Sequence, residues 1–154
     1  MAVENVPSKE LLDFLRVHDI TALATTSESG IAHASTTYYY VEDDLRFYLL
    51  TKHDTFKFKN LSKNKSVALV VTDEQKLQTV QIEGTAKEVN YANESAPTVK
   101  KFIENLAKNG LQWDELPVNH LDAGYYAFVQ ITPTWIRWSD FKNWKHTVKF
   151  EQRF

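Results

Sequence analysis

Apolar and polar positions alternate along most of the chain with a period of two, interrupted by three stretches with the period of a helix. The first stretch follows Ser8, a helix-capping residue, with Leu11, Leu12, Leu15 and His18 on one face, and ends near Asp19. From Ile20 the period shortens. Ile20 to Thr26, Ile31 to Val41 and Leu45 to Thr51 read as three strands, joined through Ser27-Glu28-Ser29-Gly30 and Glu42-Asp43-Asp44. Asp54 stands at an N-cap position before Phe56, Phe58 and Leu61, which predicts a two-turn helix over 55–63. Ser66 to Thr72 and Leu77 to Val89 follow as strands around the turn 73–76. Glu94 to Lys108 carries Val99, Phe102, Ile103 and Leu106 at helical spacing and stops at Gly110. After a loop with Trp113 and Pro117, Tyr125 to Trp138 is the sixth strand.

Strands joined by tight turns are antiparallel, so a doubly wound parallel sheet is disfavoured. The pattern predicts a mainly β fold with flanking helices, a six-stranded antiparallel split β-barrel, formed as one domain over 1–154. Its core spans about 20–139, and an aromatic tail occupies 140–154. At 154 residues one hydrophobic core is the expectation.

Composition narrows the chemistry. With 18 basic and 20 acidic side chains there is no basic field for nucleic acid. The absence of cysteine excludes disulfides, thiolate metal sites and cysteine nucleophiles, and fits a reducing compartment. No signal-like or membrane-length apolar run is present, so the expectation is a cytoplasmic protein without a membrane partner. The sequons at Asn60, Asn64 and Asn93 then mark no more than surface loops. With four glycines there is no dinucleotide or P-loop fingerprint, and scattered histidines form no zinc motif. Neither Ser27 nor Ser29 sits on a nucleophile elbow.

What remains is the strand-to-helix junction Leu49 to Lys57. Helix-start N–H groups favour an anion, and Thr51, Thr55 and Lys57 add hydroxyl and ammonium donors. On spacing alone this is either a phosphate seat or an ordinary turn with surface cations, and an Asp54 cap would compete with a phosphate. His33 is either an acid–base group or a surface residue, and Lys52 and His53 are candidates for a groove mouth. The aromatic excess, Tyr38 to Tyr40 and Trp135 to Phe154, fits either core plugs or interface walls.

Seven pieces of the chain, in order, resemble one family. They are Ile20 to Thr26, Gly30 to Tyr38, Phe47 to Thr51, Thr55-Phe56-Lys57, Asn60-Leu61, Asn64 to Leu69 and Val80 to Ala86. They are similar to the pyridoxamine 5'-phosphate oxidase-like FMN-binding split barrels. The resemblance implies a homodimer with FMN in a groove between protomers. It implies that Ser35, Thr36, Thr37 and Tyr38 run along the flavin, that Leu50 and Thr51 meet its ring or ribityl edge, and that Thr55 and Lys57 hold the phosphate. The family's glutamine on the long strand falls in register on Thr79, with Gln81 and Gln78 close by. Where the oxidases carry arginines this chain has Ser35 and Phe56, and where they hold the substrate phosphate with lysine it has Tyr40. The resemblance therefore implies a flavin-dependent oxidoreductase with another small-molecule substrate. The alternatives are a flavin-, haem- or deazaflavin-binding storage or stress module, or an empty structural barrel.

Overall fold

The computed structural model describes residues 8–89, 96–108, 126–142, 145 and 147–154. Along the chain these form α1 (Ser8–Val17), β1 (Ile20–Thr26), β2 (Ala32–Val41), β3 (Phe47–Lys52), α2 (Phe56–Lys63), β4 (Ser66–Asp73) and β5 (Gln78–Glu88). They continue as α3 (Ala96–Lys108), β6 (Tyr126–Asp140) and β7 (Val148–Arg153). The Trp113 and Pro117 loop, Gly110, His120, Trp144, His146 and the Ser8 side chain lie outside the described residues.

All pairings are antiparallel, in the order β3-β2-β1-β4-β5-β6-β7, and a further β3–β6 pairing closes six strands into the expected barrel. β6 is the spine. It pairs with β5 from Val129 to Asp140, with β3 through Tyr126–Ile131, and with β7 through Trp135–Ser139. The tail expected beyond the barrel is thus partly a seventh strand. Val148, Phe150 and Gln152 alternate with charged residues too briefly to stand out in sequence, and it is the β6 edge that recruits them.

The strands bury every second residue, which puts Leu23, Tyr39, Leu49, Leu69, Ile82 and Ile136 inside. Leu11, Phe14 and Leu15 of α1 pack into this core, and Phe14 meets Trp138 at 5.3 Å. Tyr39 is fully buried and donates from its hydroxyl to Leu15 O at 2.5 Å, fastening α1 to β2; burial pushes its phenol pKa well up. α3 covers the outside of the barrel. Val99, Phe102 and Leu106 form a second core with Tyr48 and Phe128, against which Tyr38, Tyr40 and Leu50 are half-buried. The three tyrosines therefore divide between two cores, Tyr39 in the barrel and its neighbours under α3.

A register shift between Glu83 and Gly84 lets β5 and β6 approach closely. A Cβ at Gly84 would stand 2.7 Å from Ile131 Cγ2 and 2.8 Å from the Thr132 carbonyl oxygen. Backbone cannot yield as a side-chain tip does. Gly84→Ala is expected to destabilise the fold by about 1–3 kcal/mol, read as a lower denaturation midpoint at unchanged slope.

Candidate functional site

β3 runs into α2 through a tight junction at the barrel rim. The Thr55 amide donates to Lys52 O at 3.3 Å and its hydroxyl to the same oxygen at 2.9 Å. Thr55, with φ −85° and ψ 151°, is the N-cap of α2, and its Oγ1 accepts from the Phe58 amide at 3.3 Å. This corrects the expectation of an Asp54 cap and a helix beginning at 55. The capping carboxylate that would have repelled an anion is a neutral hydroxyl. Thr51, buried on the inward side of β3, places its Oγ1 3.1 Å from Thr55 Oγ1.

Lys57 follows in the first turn. Burial alone holds its ammonium pKa below the ordinary lysine value, and among the described residues no carboxylate pairs with it. A desolvated cation without a counter-ion costs folding free energy, which an incoming anion would offset. Beside it lies an open strand edge. β2 pairs with β1 through residues 32–38 and with β3 only through 39–41, so no strand covers the other edge of 32–38 among the described residues.

On β2, His33, Ser35 and Thr37 point to the inner side, Thr37 being buried, and Ala32, Ala34 and Thr36 point outward. The junction thus gathers Thr51, Thr55 and Lys57, with Ser35 and Thr37 on the adjoining inward face of β2. Tyr38 and Leu50 come together under α3 instead, half-buried against its cluster. Thr36 and Gln81 share one cross-sheet row on the outer face, Thr36–Ala22–Val70–Gln81–Arg137. Two strands separate them, a span of roughly 14 Å, so within one chain they do not converge. Thr79 lies farther along β5, opposite Thr72 and Ser139. His53 turns to Glu88, Nε2 to Oε1 3.1 Å, with its ring edge against Phe58 at 4.5 Å, and Lys52 is exposed.

The residue missed in sequence is Asn60. Far from a surface-loop sequon, it is buried in α2 and its amide nitrogen lies 2.9 Å from Thr25 Oγ1 and 2.9 Å from His33 Nδ1. In sequence it shows only as part of the Asn60-Leu61 piece of the resemblance and in its helical spacing from Phe56, four residues before it.

The outer face forms a shallow concavity of about 490 Å³ lined by Ala22, Ala24, Ala34, Ala68, Val70 and Trp135, with Gln81 and Glu83 at one side. No helix among the described residues is long and apolar enough to cross a membrane.

With this geometry in place, the class of the protein is defined by its family. Residues 7–139 match the family model described as pyridoxamine 5'-phosphate oxidase, and the chain belongs to that family. Solved structures agree on the fold. A conserved hypothetical protein from Mycobacterium tuberculosis is 24% identical over 94% of this chain and 91% of its own, at a TM-score of 0.71. An FAD-binding protein from Mesorhizobium loti is 15% identical, with 86% and 92% covered and a TM-score of 0.67. The haem storage protein from Vibrio cholerae is 17% identical, with 86% and 91% covered and a TM-score of 0.60. No curated protein matches the chain.

Because Thr55 caps α2, Thr55→Ala is expected to cost about 1 kcal/mol of stability, and Thr55→Ser to recover most of it, in urea unfolding of the ligand-free protein. Lys57→Met behaves oppositely. It removes the desolvated charge and should leave the ligand-free thermal midpoint unchanged or higher.

Proposed function

We propose that this chain binds FMN, its phosphate at Lys57 with Thr51 and Thr55, and works in the cytoplasm as a homodimeric flavin-dependent oxidoreductase on a substrate other than pyridoxamine phosphate. The observation that carries the reading is the partly buried Lys57, without a carboxylate partner among the described residues, beside two facing threonine hydroxyls at the end of a strand edge that no described strand covers. A phosphate monoester suits this junction: it carries about −1.5 to −2 charge at neutral pH and would take the Lys57 ammonium as its counter-ion, while the Thr51 and Thr55 hydroxyls, which in the free protein donate to Thr55 Oγ1 and Lys52 O, would rotate to donate to it. Flavin, when bound, supplies the redox chemistry; the chain orients it and keeps water away.

The N–H and C=O groups of β2 between 32 and 38 that face away from β1, which no described strand covers, suit the polar edge of a flat heteroaromatic ring. Family membership supports the same cofactor, and the FAD-binding neighbour is built on the same fold. Against the parent substrate stands Tyr40. In the position where the resemblance puts a phosphate-binding lysine, its ring packs on Phe102 of α3 at 6.4 Å. A phenol in that setting supplies no cation.

A second copy suits the outer face. Ala22, Ala24, Ala34 and Ala68 leave room for another backbone to approach, and Trp135 at the edge offers a flat anchor. Gln81, distant from Lys57's junction within one chain, would then belong to a site completed across the interface, as would Thr36 and Thr79.

The purified protein is expected to show the paired visible absorption bands of flavin, or to gain them with added FMN. A Soret band instead would favour a haem-storage role, and a protein that takes up neither would sink the proposal. Lys57→Met is expected to weaken FMN binding by about ten- to hundredfold while changing riboflavin binding little, by fluorescence quenching. FMN affinity should also fall at alkaline pH. Lys57 loses its proton at a lower pH than an ordinary lysine in the free protein, and a bound phosphate opposes that loss, so binding takes up protons as this range is approached. Ala24→Arg, on the exposed face, should leave the fold intact and convert dimer to monomer in light scattering; a monomeric wild type would remove the interface from the proposal.

A further inference from the structure

The first residue of α2 is Phe56, three-quarters exposed; its ring meets that of His33 on β2, and the Lys59 ammonium lies 5.8 Å from its centroid. The two rings stack with centroids 5.7 Å apart and an interplanar angle of 21°. Phe56 lies between Thr55 and Lys57, so this stack holds the imidazole against the segment that carries the proposed phosphate donors.

A second contact fixes how the imidazole is turned. Asn60 Nδ2, in a residue only 5% exposed, lies 2.9 Å from His33 Nδ1 and 2.9 Å from Thr25 Oγ1. An amide NH2 group only donates. Its two hydrogens are therefore directed to Thr25 and to His33, and Nδ1 is the bare acceptor of the ring. The ring proton must then sit on Nε2, at the opposite end, on a side chain that is only partly buried. A surface histidine has no need of a buried amide to choose its tautomer. This one is prepared as a directed N–H donor.

Lys57 provides one charge, whereas a phosphate monoester has three acceptor oxygens and up to two charges. We propose that His33 is a further ligand-contacting residue of this site, donating from Nε2–H to the phosphate of the bound ligand, and that Asn60 is the residue that positions it. This rests on the reading of the α2 junction as the phosphate end of a flavin site. It adds that the specificity for a phosphorylated over an unphosphorylated flavin is shared between Lys57 and the Thr25–Asn60–His33 chain.

The test compares FMN with riboflavin, which lacks the phosphate. His33→Phe keeps a flat ring to stack on Phe56 and removes the donor. It is expected to weaken FMN binding about tenfold with riboflavin affinity unchanged, and His33→Gln, which restores an N–H donor, is expected to recover most of the loss. Equal loss for both flavins, or no loss for either, would overturn the proposal. A readout independent of any variant is the ¹⁵N-labelled wild-type protein. The His33 ring is expected as the Nε2–H tautomer, with its Nε2 resonance moved by FMN and not by riboflavin. A ring protonated on Nδ1 alone, or a resonance indifferent to FMN, would overturn it as well. If neither flavin binds the wild type, the flavin reading itself has failed; if Lys57→Met discriminates the two flavins and His33→Phe does not, only the present inference has.

Discussion

Everything at the site depends on the pairing of β3 with the first half of β6. Phe47–Lys52 aligns with Tyr126–Ile131, joining segments almost eighty residues apart in sequence. That pairing turns a twisted sheet into a closed barrel and removes two edges at once. It also holds Thr51 and Lys52 at the rim, so that α2 must begin there, and sets Tyr48 beside Phe128 to make the floor on which α3 lands. Bringing together segments so far apart carries a loop-closure entropy cost that the pairing and the packing it allows must offset.

The closed barrel then tolerates two local costs near one end. Lys57 gives up part of its hydration without a carboxylate in exchange, and Asn60 is carried into the interior on a short helix where leucine would pack more simply. Asn60 recovers its cost through Thr25 and His33. Lys57 has no such compensation among the described residues. Under the proposed function, a bound anion would offset that cost.

The two faces of β2 serve different ends. Inward, Thr37 and Tyr39 belong to the barrel, and Tyr39 reaches across to Leu15 of α1. Outward, Tyr38 and Tyr40 lie under α3, whereas Ala34 and Thr36 remain uncovered beside the alanines of β1 and β4. A single strand thus passes from a helix-covered part of the barrel to an open part. In the open part no described element covers either its edge or its outer face.

Local signals determined a good deal. Period-two alternation, turn residues and the capped helical stretches carried strand order, antiparallel sense and the junction at Thr51, Thr55 and Lys57, because these depend on neighbours a few residues apart. The family resemblance was legible for the same reason, in short runs at fixed intervals. Other features exist only once the chain has closed. β7 is a strand because β6 overhangs β3 and offers a free edge. Tyr38 and Leu50 face α3, a helix far along the chain, and Gln81 and Thr36 are set apart by two intervening strands. Asn60 and His33 became partners across twenty-seven residues, and a hydrogen bond of that kind leaves no periodicity to read. Sequence by itself showed the alternation of faces along β1 to β6, because that depends on neighbours two residues apart; only the closed barrel decided what each face would meet, because those partners lie far along the chain.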